Sequence, residues 1–390
     1  MKRNVLARLG PRGQRPPATS RADPRPRLTV VAPSLGILGG QGVQAQALAQ
    51  ALAADGYRVT FVPINPSFPR GLRWLRRLPG ARTILNEALF LPGLWRLRRA
   101  DIVHVFSASY WSFLLGPAPA MLAGRLLGKR VLLNYRSGEA DDHLTRWGPL
   151  VHPWLRLADE IVVPSEYLRT VFARHGYRVR AIRNLVDTSR FRYRERVPLR
   201  PRLLSTRNLE PYYRVDVTLQ AFALLKARYA DATLTIAGYG SEEEKLRRMA
   251  ASLAGGSDIR FVGKADRSAM PGLYDEHDVF VNSSVVDNQP VSVLEALAAG
   301  LSVVSTDTGD IGAMVRSGET GLLVPRRDPA ATAEAVAALL DNPDRALLMA
   351  RRANQEARKY TWPAVRRQWA EVYRSSHPGG AQELAAAGPA

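Results

Sequence analysis

Short β-branched, apolar runs recur along the chain, with longer segments at helical spacing between them. RLTVVAP (27–33) is followed by QGVQAQALAQALAADG (41–56), with apolar positions three and four apart, and then by YRVTFVPI (57–64). Further strand-type runs stand at 101–106, at KRVLLNY (129–135) and at DEIVVPS (159–165). These runs are almost continuously apolar rather than alternating, which is what a parallel sheet covered by helices on both faces requires. Residues 188–201, TSRFRYRERVPLRP, interrupt the pattern with charge and two prolines and read as an interdomain linker. The alternation then restarts with RLLSTR (202–207), ATLTIAG (232–238), DIRFVG (258–263), DVFVNSS (278–284), LSVVSTD (301–307) and GLLVP (321–325). The pattern predicts an α/β protein with two doubly wound parallel-sheet domains in tandem, 27–187 and 202–360. The last segment, TWPAVRRQWAEVYRSS (361–376), carries Trp362, Val365, Trp369 and Val372 at helical spacing. It either closes the second domain or crosses back onto the first.

Length agrees, since 390 residues divide into two domains of ordinary size and 46% apolar content fills both cores. Charge changes the picture more. The net formal charge is +20, and nearly all of the excess is arginine. Such a field favours phosphorylated substrates, nucleic acid or an acidic membrane surface. The first 26 residues are rich in Pro, Gly and Arg, lack an apolar core, and read as a disordered basic arm rather than a secretory signal. With no cysteine there is neither a disulfide framework nor thiolate chemistry, as suits a reduced compartment. The uncharged stretch 102–124 is long enough to span a bilayer, but it opens as a strand and carries Pro117 and Pro119. A buried strand followed by a buried helix is the better account. Segment 70–99 mixes arginine with Trp74, Leu75, Leu78, Leu89, Phe90, Leu94 and Trp95, the composition of a helix lying on an anionic bilayer. Its alternative is a helical excursion that packs on its own domain and exposes its arginines.

Candidate chemistry concentrates where strands meet helices. In VVDNQPVSVLEALAAG (285–300), a strand end is followed by an Asp-Asn-Gln-Pro turn and a small-residue helix. Pro290 suits the first helical turn, with Asn288 or Gln289 as the cap, and the free amides there suit a phosphate. Glu295, about one and a half turns in, can accept hydrogen bonds from a ribose diol, and Asp287 can receive the hydroxyls of another sugar. The same pair also reads as an N-cap acid and a surface glutamate. Gly39, Gly40 and Gly42 in APSLGILGGQG (32–42) would let backbone approach an anion, or simply form a tight turn. The second strand ends VPINPS, without the acid that a dinucleotide ribose needs, so nicotinamide binding is not expected. Arg207 ends the first strand of the second domain, where a fixed cation would neutralise a diphosphate leaving group. Arg214 follows it. The six histidines show no metal-ligand spacing, and no G-x-S-x-G elbow, GKS/GKT phosphate loop, helix-turn-helix, zinc finger or RNP signature is present. Nucleic acid is therefore not expected as a partner.

In order, DNQPVSVLE, its continuation EALAAGLSVVSTDTGDIGAMVRSGETGLLVP, and LTIAGYGSEEEKL resemble the retaining glycosyltransferases of family 4, which have the GT-B fold of two Rossmann-like domains. The resemblance runs from about residue 28 to 376 and is strongest over 202–325. It implies a nucleotide-sugar donor, UDP- or GDP-linked, held mainly by the second domain, and a lipid-linked or saccharide acceptor held by the first. Glu295 would grip the ribose, while Asp287, Asn288, Gln289, Val291 and Ser292 address the transferred sugar and diphosphate. Arg207 and the Gly39–Gly40 turn would neutralise the diphosphate, with Gly238 and Gly263 on the donor side and no metal or other cofactor. Two departures stand out. The family's first acid is usually Glu followed by Gly-Phe-Gly, and its strand-end arginine is usually followed by a Lys-Gly pair, where this chain has EPYYRVD. Arg214 is the candidate for the missing lysine. The family's histidine after the fourth strand has no match in NYRSGEADDH, leaving Arg136, Glu139 and His143 as acceptor-side candidates.

The sequence thus points to a hexosyltransferase of polysaccharide or glycolipid assembly, cytoplasmic and peripheral on the inner face of the membrane. The rivals are a nucleotide-sugar epimerase of the same fold and a non-catalytic basic protein that binds nucleotide or membrane.

Overall fold

The structure, a computed structural model, describes residues 25–34 and 40–374. The basic arm, apart from its last two residues, lies outside them. So do Gly39 and the last two positions of the expected terminal helix.

Twelve strands among the described residues form two six-stranded sheets, both wholly parallel. The first comprises β1 (Leu28–Ala32), β2 (Val59–Pro63), β3 (Ile102–Ser107), β4 (Arg130–Tyr135), β5 (Glu160–Val163) and β6 (Arg180–Ala181), in the order β2-β1-β3-β4-β5-β6. The second comprises β7 (Arg202–Ser205), β8 (Thr233–Ala237), β9 (Ile259–Gly263), β10 (Val279–Asn282), β11 (Ser302–Thr306) and β12 (Leu322–Val324), ordered β12-β11-β10-β7-β8-β9. Every residue of β1, β3 and β11 is buried, as continuous apolar strands between two helical layers should be. Strand order reverses between β1 and β3 and between β7 and β10. At each reversal the connections leave to opposite faces and open a crevice beyond the carboxyl ends.

Three segments differ in detail from the sequence pattern. The uncharged stretch after β3 is two helices, Trp111–Leu115 and Pro117–Leu126, because Gly116 ends one and Pro117 starts the other. Segment 70–99 is a helix, Pro79–Gly93, between two 3-10 turns, Arg70–Arg77 and Leu94–Arg99. The charged break at 188–201 is not a loose linker but a strap bound to the second domain. Phe191 enters that domain's core, and Arg194, Arg196 and Arg200 converge on the fully buried carboxylate of Asp278. A buried carboxylate needs such cations, and the arginine-rich run supplies them.

The terminal helix, Trp362–Arg374, crosses back. Val365, Trp369, Val372 and Tyr373 pack among Leu28, Val30, Phe106 and Leu132 of the first domain. The Tyr373 hydroxyl lies 2.9 Å from His104 Nδ1, and Arg130 Nη1 donates to the Val372 carbonyl at 2.7 Å.

Candidate active site

The site assembles at the second reversal. Just beyond β7, the Arg207 guanidinium donates from Nη2 to Asp287 Oδ2 at 2.6 Å and from Nη1 to Ser292 Oγ at 2.8 Å. Its planar face lies 4.0 Å from the Tyr213 ring centroid. Burial alone would lower this guanidinium, but the Asp287 carboxylate and the surrounding tyrosines hold it above its ordinary value. Close packing behind Arg207 depends on Gly238, at the end of β8, where a Cβ would come within 2.0 Å of the Arg207 carbonyl oxygen. The Asp287 carbonyl is similarly clamped between two segments of the chain. A Cβ on Gly138 of the first domain would meet it at 2.6 Å, and one on Gly309 of the second, at φ +61°, at 2.3 Å.

After β10 the chain turns through Asp287–Pro290 into the helix Val291–Ala299. Pro290 is itself the cap and makes no side-chain capping bond, so the amides of Val291, Ser292 and Val293 precede the first helical bond, Leu294 N to Pro290 O. That end carries the partial positive charge an anion seeks. Further along, Glu295 Oε2 accepts from the buried Tyr274 hydroxyl at 2.9 Å. Burial pushes the Glu295 carboxyl up to about 7, with Tyr274, Arg190 and Arg267 acting in the opposite sense.

Two cavities meet at this cluster. One, of about 400 Å³, is lined by Gly40, Arg207, Val291, Gly238, Lys264, Arg267 and Glu295 among others. The other, of about 490 Å³, lies between the domains and is lined by Tyr110, Trp111, Arg136, Glu139, Tyr212 and Asp287 among others. Gly40, Arg207, Tyr213 and Val291 line both. Gly40, the first residue of the helix Gly40–Ala54, abuts Val291, with its Cβ direction 3.9 Å from Val291 Cγ2.

The structure therefore brings Arg207, Asp287, Glu295, Gly40, Gly238, Val291 and Ser292 together in one place. Other candidates stand elsewhere or act otherwise. The side chains of Asn288 and Gln289 are not caps and reach across the cleft instead. Ser165 donates to Asn288 Oδ1, Asn184 N donates to Gln289 Oε1 at 2.6 Å, and Asn184 Nδ2 to the Gln289 carbonyl at 2.6 Å. Gln289 Nε2 in turn donates to Asp310 at 2.7 Å. With its amide groups occupied in this way, Gln289 fastens the two domains together. Arg214 does not replace the missing lysine. It sits at φ +49° before the helix Val215–Lys226, pairs with Asp216 at 2.7 Å and lines neither cavity. The residue before it, Tyr213, faces the site. Gly263 ends β9 in a left-handed turn, and Lys264 after it is what lines the donor-sized cavity.

On the first domain, Arg136 and Glu139 line the interdomain cavity, but His143 does not. His143 is fully buried among Tyr110, Phe113, Tyr135 and Trp147, with Nδ1 2.8 Å from the Tyr135 hydroxyl. Burial pushes it down to about 4, so it is a neutral core residue at physiological pH. Sequence reasoning missed Tyr274, Ser165, Asn184, Tyr213, Lys264 and Trp111. Of these only Lys264, one of six lysines, carried a signal in being a rare cation just past a strand end.

Two tandem Rossmann-like domains with a cleft between them form the GT-B architecture, and an arginine, an acid pair and a helix start facing that cleft suit a nucleotide-sugar. Comparison narrows this. Residues 190–360 match the family of glycosyl transferases group 1, and residues 38–190 match glycosyltransferase family 4. The chain belongs to the family-4 glycosyltransferases. It is similar to a glycogen synthase of Mycobacterium tuberculosis, 27% identical over 395 residues that span 89% of this chain and 93% of the relative. It is also similar to a D-inositol 3-phosphate glycosyltransferase of Corynebacterium urealyticum, 35% identical over 166 residues, 41% of this chain and 39% of that one. The latter match therefore spans under half of the relative. In fold it resembles HepE of Anabaena, a structure solved with UDP, at a TM-score of 0.69 and 15% identity over 89% of this chain and 99% of that one.

Proposed function

We propose that the protein transfers a hexose from a UDP- or GDP-sugar to a lipid-linked or saccharide acceptor, with retention at the anomeric carbon, in polysaccharide or glycolipid assembly. The observation that carries this reading is Arg207, which lines both cavities and bonds to Asp287 of one and Ser292 of the other, with Glu295 lining the donor-sized cavity. A nucleotide fits there with its ribose diol on Glu295, its diphosphate between Arg207 and the first amides of Val291–Ala299, and its sugar beside Asp287. The UDP held by HepE favours uridine.

Retention by same-face attack suits the geometry. The acceptor hydroxyl oxygen bonds to the anomeric carbon as the bond from that carbon to the phosphate oxygen breaks, and the departing phosphate takes the hydroxyl proton. Arg207 and the helix amides stabilise the charge on the leaving group. Asp287 is engaged with Arg207, which suits it to orienting sugar hydroxyls rather than to attacking carbon. Because these groups and Lys264 supply the positive charge, the reaction needs no metal. On the acceptor side, Trp111 is 65% exposed at the cavity wall and Tyr212 39%, and such aromatic faces stack well against sugar rings.

The test is slow donor hydrolysis. UDP-, GDP- and ADP-glucose, with the corresponding mannose and N-acetylglucosamine donors, are incubated with wild type and Glu295→Ala, and released nucleotide is quantified. Release from one donor, reduced at least about tenfold in the variant, is the expected result. No release, together with no nucleotide binding by calorimetry, would move the basic binding-protein reading to the front. Interconversion of the sugar epimers would instead reveal an epimerase.

A further inference from the structure

Arg136 lies partly buried against the face of Phe106, its guanidinium carbon 5.3 Å from the ring centroid. Nη1 donates to Asn134 Oδ1 at 3.1 Å, while Nη2 is buried without a hydrogen-bond partner. No carboxylate among the described residues forms an ion pair with it, although most arginines of this chain's interior have one, as Arg207 has Asp287 and Arg196 has Asp278. The two acids of the same cavity are otherwise disposed. Asp287 is taken by Arg207, and Glu139 is exposed at the rim, its carboxyl raised by burial and by Asp142 rather than drawn down by a cation. Burial pushes the Arg136 guanidinium down to about 9, the mark of a charge that lacks its counter-ion. A buried cation is costly unless paired, and the space beside this one is the cavity where donor sugar and acceptor meet.

We propose that Arg136 reads a carboxylate or phosphate carried by one of the two sugars that meet in the interdomain cavity. The inference rests on the glycosyltransferase reading of that cavity and narrows it to a charged substrate: a uronate-type donor sugar or an acidic acceptor. Arg136 is the planar fork that matches either anion with two parallel hydrogen bonds. Ser109, Ser112 and Ser137 line the same cavity and can hold the remaining oxygens.

The experiment has two arms, with UDP affinity measured by calorimetry as internal control. In the first, nucleotide release from UDP-glucuronate is compared with release from UDP-glucose. In the second, UDP-saturated protein is titrated with D-glucuronate, glucose 6-phosphate and methyl α-glucoside. A preference of about tenfold or more for the anionic probe, lost in Arg136→Gln and partly kept in Arg136→Lys, is expected in one arm. The first arm would assign the anion to the donor sugar and the second to the acceptor. Unaltered UDP binding by Arg136→Gln shows that the donor cavity has survived the change. Equal treatment of charged and neutral probes in both arms by wild type, with UDP bound, overturns the role of Arg136. Absence of both UDP and GDP binding by wild type would overturn this inference together with the reading on which it rests.

Discussion

Glu295 is the residue whose chemistry can be followed most directly by pH. Its carboxyl is raised to about 7 in the folded, unliganded protein, against an ordinary value of about 4.3. A ribose diol donates two hydrogen bonds and so needs the ionised form. Affinity for the donor identified by hydrolysis should therefore weaken as pH falls through about 7. The unliganded fold should behave in the opposite sense, because a carboxyl raised on folding is penalised once it ionises. The contribution of Glu295 is most favourable below the unfolded value and is lost as pH rises from there through about 7. Calorimetry and thermal unfolding between pH 5.5 and 8.5 check both trends, with Glu295→Gln as the reference that removes this titration. A variant profile identical to wild type would show that another group governs the window. At this scale the sequence was partly legible. Spacing and residue type placed Asp287 and Glu295 around one helix start, because strand-turn-helix geometry is local, whereas Arg207, 80 residues before Asp287, was legible only as a cation at a strand end. Tyr274 was not legible. It reaches Glu295 from a neighbouring helix, Met270–Glu276, and nothing in its own surroundings in the chain marks it.

At the scale of elements, the turn Asp287–Pro290 joins the two domains as well as starting a helix. Replacing Gln289 by Ala takes one hydrogen bond each from the Asn184 amide and the Asp310 carboxylate, both in the buried seam. Losses of this kind cost about 1–3 kcal/mol each. Gln289→Ala should lower the melting temperature by several degrees and reduce transfer more than it reduces nucleotide affinity, since Gln289 touches the domain seam rather than the donor-sized cavity. Differential scanning calorimetry and nucleotide titration of the same variant read the two effects. An equal fall in nucleotide affinity would place Gln289 on the donor after all. The strands themselves were well marked by their apolar runs, because a strand covered on both faces has no polar side to blur the signal. What the runs could not give was partnership across the cleft. The polar side chains of Asn288 and Gln289 look like local caps until Ser165 and Asn184, more than a hundred residues earlier, are placed opposite them. Arg214 misled for a related reason, because its left-handed backbone turns the side chain onto Asp216 and presents Tyr213 to the site.

For the whole molecule, charge and exposed aromatic surface combine in one segment of the first domain. No helix among the described residues is long and apolar enough to cross a membrane. Yet Trp74 is 59% exposed, Trp95 68% and Ile84 73%, all within the excursion from Arg70 to Arg99. Arg73, Arg77, Arg82, Arg96, Arg98 and Arg99 are exposed beside them, and Arg98 stacks 4.0 Å over Trp95. Exposed tryptophan with arginine is what an interface of headgroups and acyl chains accepts, and each basic residue near an anionic surface contributes about 1 kcal/mol. The net charge of +20 adds long-range attraction. We propose that this segment docks the enzyme on an acidic bilayer, the setting in which a lipid-linked acceptor is found. Vesicles of phosphatidylcholine, with and without about one-third phosphatidylglycerol, test it by co-sedimentation. Binding should require the anionic lipid and fall at least about tenfold as salt rises from about 0.05 to 0.5 M, because the Debye length shortens from over 10 Å to below 5 Å. Trp74→Ala with Trp95→Ala should weaken binding further at fixed salt while leaving donor hydrolysis unchanged, since neither residue lines the donor or interdomain cavity. Equal binding to neutral vesicles would count against electrostatic docking, and binding to neither would leave the aromatic wall of the interdomain cavity as the argument for a soluble saccharide acceptor.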